Sequence, residues 1–418
     1  MSESPVEDAS PGRTGSLDKH ARGVSFVFLL VVLAEAIRVP ADLWVRDRSG
    51  DIFEFDLYQR ATLAFNYFEL GPIRRGLGGS IVHLLGRDLL VGSTVFFYAT
   101  AAAVVIGTSI LFARLNLPLP SRVPFIVVAA AIMCRWAEDI GRSDMAIAAI
   151  LVAATLALQH RRPVLAALAI GMSLFIHELG FIFGLPLLAV LFLRHCGLPV
   201  DASTRWKVLL VLALAGGIYL LMGTLPVASL QDTVRIVRDK LPPSDNVDWA
   251  IFIAVSGARG LALNLCQNRI DPSYPVHVAG GLLLILLTGW ALERGSKHEW
   301  LAIAVAAVLP FLFLCVIAND MARWAGLACF NLWLVAVSSD APLRPSAVSR
   351  LLPVVAAFAV LVFMEADVDR SDTLIHKPSP LLERAVRYFT HAPTTRFAEV
   401  LERCDPTWRS LLDDPARR

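Results

Sequence analysis

Acidic side chains gather in one polar segment near the start of the chain, Asp47–Arg60. Four acids fall within ten residues there and are interleaved with aromatic side chains. A carboxylate in this setting is able to act as a general base on a hydroxyl group or to hold a divalent metal ion. Asp56 is the preferred catalytic candidate, because its apolar neighbours would hold it at a membrane surface, and Asp51 is the second. The competing interpretation is a solvated acidic loop.

A glycine-rich segment with two adjacent arginines follows, Gly71–Ser80. Arg74 and Arg75 precede a glycine cluster and an apolar helix, and this combination suits an anion. Guanidinium groups bind phosphate oxygens, and backbone N–H groups at a helix N-terminus point toward the same ligand. The spacing fits neither a P-loop nor a dinucleotide-binding fingerprint, so nucleotide binding is not supported. The competing interpretation is an arginine pair that contacts lipid headgroups.

A third polar cluster, Arg135–Asp144, lies between two short apolar spans. Charged groups inside a membrane protein are costly and usually face a cavity or a site. The functional interpretation gives three acids a catalytic or metal-binding role and one arginine a phosphate-binding role: Glu138, Asp139, Asp144 and Arg142. The competing interpretation is local ion pairing at i,i+4 spacing, in the pairs Arg135/Asp139 and Glu138/Arg142.

Two further polar pairs interrupt apolar stretches. His177 and Glu178 are adjacent, and the imidazole is able to hydrogen-bond a phosphate or relay a proton. The spacing is not that of a metalloprotease motif, and the alternative for His177 is a satisfied structural histidine. Asp320 and Arg323 lie at a later turn, where they either bind substrate or form a local ion pair.

The composition identifies the setting of these clusters as a membrane. Of the 418 residues, 56% are apolar and 18% are charged, and the mean hydropathy is +0.61. Soluble proteins carry about 25% charged residues. Long apolar runs recur along the chain, which excludes a soluble enzyme, a disordered chain and a nucleic-acid binder. The net charge of +2 gives no information about partners.

The apolar runs predict an all-α polytopic membrane protein with about eleven transmembrane helices, in a range of roughly ten to thirteen. The predicted spans are 24–45, 89–113, 123–137, 144–158, 163–177, 179–194, 208–225, 276–292, 300–317, 321–337 and 351–365. An interfacial or re-entrant helix is expected near 61–85. Short basic loops alternate with the polar clusters, so the positive-inside rule predicts a cytoplasmic N-terminus and extracytoplasmic clusters.

The predicted organisation has three parts. Residues 1–22 form a disordered cytoplasmic tail, and 23–365 form the transmembrane domain with outer loops 46–88 and 226–275. Residues 366–418 form an extracytoplasmic amphipathic segment. The first apolar run is read as a retained helix, with a cleaved signal peptide as the alternative. The six cysteines form no CxxC pair, so neither a disulfide framework nor a zinc site is predicted.

The chain resembles the bacterial multi-spanning glycosyltransferases of the GT-C type and the related cell-surface polysaccharide polymerases. The resemblance covers the membrane region, and short motifs carry it: Phe55-Asp56-Leu57-Tyr58, Gly71…Arg74-Arg75-Gly76-Leu77, Gly141-Arg142-Ser143-Asp144, Ile176-His177-Glu178 with Pro186, and Asn319-Asp320…Arg323-Trp324. It implies transfer of a sugar from a polyprenyl-phosphate or polyprenyl-diphosphate carrier at the outer face of a bacterial inner membrane. The acid that serves such families as base corresponds to Asp56 or Asp51. The chain departs from the pattern in lacking an Asp-Asp or Asp-Glu pair in the first loop.

The leading hypothesis is therefore a glycosyltransferase or polymerase acting on a glycan or lipid acceptor within the membrane. Its candidates for binding the substrate or its phosphate are Arg74, Arg75, Arg142, His177, Glu178, Asp320 and Arg323. The sequence specifies no cofactor, and Mg²⁺ or Mn²⁺ is the divalent ion that the acids are able to hold. Polysaccharide assembly proteins are a candidate class of protein partner. The alternatives are a transporter or flippase of a lipid-linked anion, an acyltransferase that uses His177, and an accessory subunit of a polysaccharide assembly complex.

Overall fold

A computed structural model of the protein describes most of the region from residue 60 to residue 338. The described residues are 23, 26–34, 36–37, 60–73, 75–85, 88–115, 125–126, 128–130, 132–133, 136–137, 143–196, 201–222, 224–225, 230–241, 247–248, 250–252, 262–263, 265–266, 269, 274–291, 301–317, 321–338 and 403–405. All regular structure in these residues is helical.

The helices are numbered here in chain order. They are α1 Tyr67–Leu70, α2 Gly76–Leu85, α3 Leu89–Ala113, α4 Asp144–Gln159, α5 Pro163–Ile176, α6 Glu178–Cys196, α7 Ala202–Met222, α8 Leu230–Arg238, α9 Tyr274–Ala291, α10 Leu309–Ile317 and α11 Met321–Val337. A π-helical segment, Ala304–Val308, leads directly into α10.

Within the part of the chain that the structure describes, three helices are long and apolar enough to cross a membrane: Leu89–Ala113, Glu178–His195 and Ala202–Met222. The first has 25 residues, and at 1.5 Å per residue it exceeds a hydrocarbon core of about 30 Å. Asp88 begins it as an N-cap, with its carboxylate accepting the N–H groups of Leu90 and Val91. Together with the shorter apolar helices, these spans describe a helical membrane protein.

Side-chain bonds show which ends of the helices lie together. At one end, Arg323 near the start of α11 binds Asp144 at the start of α4. At the other end, the Arg194 Nη1 group donates to the carbonyl of Val335, 2.7 Å away, and joins the last turns of α6 and α11. We call the end that holds Asp144 and Arg323 the site end.

Asn331 links three helical segments in the buried core. Its side-chain amide donates to the carbonyls of Ala306 at 2.8 Å and Phe183 at 2.9 Å. Pro310 has no N–H to offer the Ala306 carbonyl four residues earlier, so the asparagine supplies the missing donor. Asn331 therefore fastens α11 to the π-helical segment and to α6.

A second hydrophobic cluster lies at the site end, beside the starts of α3 and α4. It combines residues 61–73, α8 and the short helical pieces around residues 250 and 263. Glu69 and Lys240 form an ion pair across it, and Arg238 pairs with Asp248 at 2.9 Å. We call this layer the cap.

The cap also contains a disulfide between Cys266 and Cys404, with Cα atoms 5.9 Å apart. The sequence-based prediction that the chain has no disulfide framework is wrong for this pair. The partners are separated by 138 positions, so no local spacing could reveal them. Tertiary packing alone brings the two thiols within bonding distance.

Several predicted helices agree with the structure to within one residue. The spans at 89–113, 144–158 and 163–177 correspond to α3, α4 and α5. The predicted start at 208 is wrong, because Asp201 caps the backbone N–H groups of Ser203 and Thr204 and α7 begins six residues earlier.

Other predictions of the topology are tested only in part or not at all. The expected helix at 61–85 is divided into α1 and α2, and Gly71, at φ 74°, separates them. The spans at 24–45 and 123–137 are helical where they are described. The tail 1–22, the span 351–365 and nearly all of 366–418 lie outside the described residues, so the helix count stays a prediction.

Candidate anion-binding site

An ion pair between Arg75 and Glu178 links the start of α2 to the start of α6 at the site end, and both side chains are partly exposed. The Arg75 Nε atom lies 2.5 Å from Glu178 Oε2, and the two residues are 103 positions apart. Arg75 stands immediately before α2 with φ 61°, a left-handed conformation that non-glycine residues seldom adopt. The backbone thus accepts strain at the residue whose guanidinium reaches α6.

Tyr219 adds a second partner to Glu178. Its hydroxyl donates to Oε1, the carboxylate oxygen that does not face Arg75 Nε. The phenol ring packs edge-on against Phe175 with ring centroids 6.2 Å apart. Sequence reasoning missed Tyr219, although a tyrosine within an apolar span signals a hydroxyl that needs a partner.

His177 caps the N-terminus of α6. Its Nδ1 atom accepts the backbone N–H of Leu179 at 3.2 Å, and its own backbone is extended, as N-cap residues are. Because Nδ1 is an acceptor, the neutral ring carries its proton on Nε2. Nδ1 lies 3.5 Å from Glu178 Oε2, but with no proton there it forms no ion pair.

The charge state of His177 agrees with this capping role. Burial lowers the pKa of His177 well below its usual range, and the guanidinium groups of Arg75 and Arg323 act in the same direction. The interpretation of His177 as a satisfied structural histidine is therefore supported by its capping hydrogen bond. A direct contact with phosphate stays a prediction.

A second ion pair joins Asp144 to Arg323, with Oδ1 2.6 Å from Nε. The two residues belong to different sequence clusters and are 179 positions apart. The Asp144 side chain is 1% exposed and the Arg323 side chain 12%. This pair is closed to solvent and connects the first half of the bundle to the second.

Four helix N-termini meet the charged groups at the site end, namely those of α2, α4, α6 and α11. Each N-terminus carries unsatisfied N–H groups and a partial positive charge, so anions are stabilised there. Asp144 and Glu178 are the first residues of α4 and α6 and already occupy such positions. The arrangement can accept a further anion, such as a phosphate.

Arg60 fixes the end of the acidic segment at the site end. It is 1% exposed, and its Nη1 atom donates to the Leu90 carbonyl at 2.7 Å and to Ser93 Oγ at 2.9 Å. The guanidinium therefore anchors the last residue of that segment to the start of α3. The catalytic candidate Asp56 precedes this anchor by four positions.

The structure brings together five of the predicted site residues: Arg75, Asp144, His177, Glu178 and Arg323. The other predicted site residues lie outside the described part of the chain: Asp51, Asp56, Arg74, Glu138, Asp139, Arg142 and Asp320. Within the described part, no three His, Cys, Asp or Glu side chains lie close enough to hold a metal ion. The interpretation of the acids as ligands of Mg²⁺ or Mn²⁺, an alternative to general-base catalysis, stays a prediction.

The fold and the site define a helical membrane protein with a cluster of paired charged side chains at one end of its bundle. The profile of glycosyltransferase family 87 matches residues 79–317, more than half of the chain. The protein therefore belongs to glycosyltransferase family 87, which confirms the glycosyltransferase interpretation of the sequence. Comparison with curated proteins and with solved structures finds no significant match in either set.

Proposed function

We propose that the protein transfers a sugar from a polyprenyl-phosphate or polyprenyl-diphosphate carrier to a hydroxyl group of a glycan or lipid acceptor. The observation that carries this proposal is the accessible Arg75–Glu178 pair at a convergence of helix N-termini, in a family of glycosyltransferases. Family membership requires a sugar donor and an acceptor. A cationic site within an apolar helix bundle suits a donor that joins a phosphate to a lipid.

In the proposed reaction, Asp56 takes the proton of the acceptor hydroxyl. The hydroxyl oxygen then attacks the anomeric carbon of the donor, and the bond from that carbon to the phosphate oxygen breaks. The phosphate leaves with the bonding electron pair and gains negative charge, which the Arg75 guanidinium stabilises. Asp51 is the second candidate for the base.

Two observations support an extracytoplasmic location for the site end. The Cys266–Cys404 disulfide lies in the cap, and disulfides persist in oxidising compartments but are rare in the cytosol. The basic residues Arg114 and Arg194 lie at the opposite end, as the positive-inside rule expects of cytoplasmic loops. The proposed location is a bacterial inner membrane with the site facing outward.

The test is sugar transfer by the purified protein in liposomes that contain radiolabelled lipid-linked sugars. We expect release of the free carrier, appearance of label on the acceptor, and a loss of at least about 100-fold in the Asp56→Asn variant. An Asp88→Asn variant is the matched control, because Asp88 caps α3 and asparagine keeps that cap.

Different failures have different meanings. No transfer from any carrier-linked sugar would reject the donor class, and transfer that persists in Asp56→Asn would remove Asp56 from the role of base. Movement of the lipid-linked sugar between leaflets without transfer would instead indicate a transporter. Membership of a glycosyltransferase family does not favour that alternative.

A further inference from the structure

The two ion pairs at the site end differ in their access to a ligand. The Asp144 and Arg323 side chains are 1% and 12% exposed, so their contact is part of the packed core. The Glu178 and Arg75 side chains are 27% and 39% exposed. A ligand that enters the site end therefore reaches the Arg75 guanidinium but not that of Arg323.

We propose that the Glu178 carboxylate occupies the place of the donor phosphate in the ligand-free protein. When the phosphate binds the Arg75 guanidinium, Tyr219 is the positioning residue that holds the displaced carboxylate. The inference rests on the proposed function, because it assumes that Arg75 binds the carrier phosphate. Beyond that function, the inference states that Arg75 exchanges the Glu178 carboxylate for a phosphate and that Tyr219 of α7 assists this exchange.

The hydrogen bonding of Glu178 suits such an exchange. Its two oxygens are divided between partners, with Oε2 on Arg75 Nε and Oε1 on the Tyr219 hydroxyl. When Arg75 turns to a phosphate, Oε1 keeps the phenol, and the carboxylate stays at the N-terminus of α6, where negative charge is favoured. The released carboxylate is therefore never left buried without a donor, which would be costly.

Tyr219 also influences how tightly Glu178 holds Arg75. A phenol that donates to a carboxylate draws part of its negative charge away from the second partner. Removing the hydroxyl should leave the carboxylate more strongly bound to Arg75, and a phosphate would then compete less well. Removing the Glu178 charge should therefore raise the affinity for the donor phosphate, and removing the Tyr219 hydroxyl should lower it.

A purely structural role for these residues predicts a different result. If Tyr219 and Glu178 served only to attach α7 and α2 to the bundle, removing either interaction would loosen the site and weaken binding. An increase in affinity cannot arise from a damaged fold. The sign of the affinity change at Glu178 therefore separates phosphate replacement from structural support. Both roles predict weaker binding in Tyr219→Phe, so the double variant separates them for Tyr219.

The experiment measures binding of sugar-free polyprenyl phosphate and polyprenyl diphosphate to the full-length protein in nanodiscs. We expect Glu178→Gln to bind about tenfold more tightly, because the competing charge is gone while the shape is kept. Tyr219→Phe should bind about threefold more weakly, since one neutral hydrogen bond is removed. In the double variant the effect of Tyr219→Phe should vanish, since it acts through the Glu178 charge.

Tyr274→Phe is the matched control. The Tyr274 hydroxyl donates to the Cys315 carbonyl, outside the proposed machinery. This variant shows how much the loss of any tyrosine hydroxyl from an apolar helix changes binding. We expect wild-type affinity for polyprenyl phosphate in this variant.

The outcomes distinguish the inference from the proposed function. If the wild-type protein binds neither polyprenyl phosphate nor polyprenyl diphosphate, the proposed donor class fails. If it binds but Glu178→Gln weakens or does not change binding, the exchange is overturned. A Tyr219→Phe effect that persists unchanged in the Glu178→Gln background would overturn the positioning role of Tyr219.

Discussion

At the scale of single residues, His177 connects the folding of α6 to the geometry of the anion site. The imidazole caps the helix whose first residue is Glu178, so the carboxylate is presented at a fixed N-terminus. The cap requires the unprotonated Nδ1 lone pair. A proton on this atom would remove the acceptor and place a positive charge against a helix N-terminus, which is unfavourable.

The resulting pH dependence has a definite sign. The folded-state pKa of His177 lies below the unfolded value of about 6.5, so the folded protein favours the neutral form. Its contribution to stability is complete above about pH 6.5 and is lost as the pH falls toward the folded-state pKa. We therefore expect thermal stability in detergent to decrease below about pH 6.5.

The variant His177→Asn tests this prediction. Asparagine is a good N-cap and does not titrate, so the helix should be kept while this part of the pH dependence disappears. The comparison is a melting curve at each pH for the wild type, for this variant and for His160→Asn at the opposite end. A decrease of equal size in all three proteins would contradict the capping role.

At the scale of elements, α2 shows how glycine allows a close contact at the site end. A Cβ atom on Gly79 would lie 2.0 Å from the carbonyl oxygen of Phe65, which is backbone and cannot turn away. A Cβ atom on Gly78 would meet only ordinary contacts, the nearest being the Leu63 side chain at 3.4 Å. The approach of α2 to the segment before α1 therefore depends on Gly79.

The adjacent glycines provide a matched pair of substitutions. We expect Gly79→Ala to destabilise the protein by at least about 1–3 kcal/mol, because the helix must move away from the Phe65 backbone. Gly78→Ala should be neutral or slightly stabilising, because alanine is the better helix former. Thermal stability in detergent is the measurement, and equal melting temperatures for the two variants would contradict the packing argument.

Predictability also differs among elements. The bounds of α3 follow from an unbroken apolar run that begins after Asp88, so the sequence predicts it correctly. The start of α7 does not follow from hydropathy, because Arg205 and Lys207 lie within its first turns and Asp201 caps it. Capping overrides the polar character of these residues, which hydropathy alone assigns to a loop.

At the scale of the whole molecule, the segments of the cap are held to one another by charge and by a covalent bond. Burial alone would raise the pKa of Glu69, but the hydrogen bonds from Lys240 and Asn66 outweigh it, and the pKa lies below its usual range. This pair joins α1 to the segment after α8. The Cys266–Cys404 disulfide then ties the cap to residues near the C-terminus.

Thiol labelling tests the disulfide and the compartment together. The protein is denatured and labelled with a maleimide, with and without prior reduction. We expect reduction to add two labels to the wild type and none to Cys266→Ser or Cys404→Ser. Each of these variants should lose about 2–4 kcal/mol of stability, and the double variant should lose no more. Cys315→Ala, which removes a cysteine outside the disulfide, should keep the difference of two labels.

Two results would contradict this prediction. If reduction adds no labels to the wild type, the two thiols are not paired in the protein. If pairing persists in cells that lack periplasmic thiol oxidation, the disulfide no longer supports an extracytoplasmic cap. Neither result would affect the prediction made for Gly79.

The sequence by itself determined the membrane setting, the glycosyltransferase class and the polar clusters that supply the site. The membrane setting and the clusters follow from local features: apolar runs of spanning length, helix caps and charged residues that interrupt apolar segments. The glycosyltransferase class follows from the resemblance to a known family. Only the tertiary structure decided which charges meet. Arg75 pairs with Glu178 and Asp144 with Arg323 across separations of 103 and 179 positions. Tyr219 and Cys404 join such contacts because packing of the chain, rather than spacing along it, makes them neighbours.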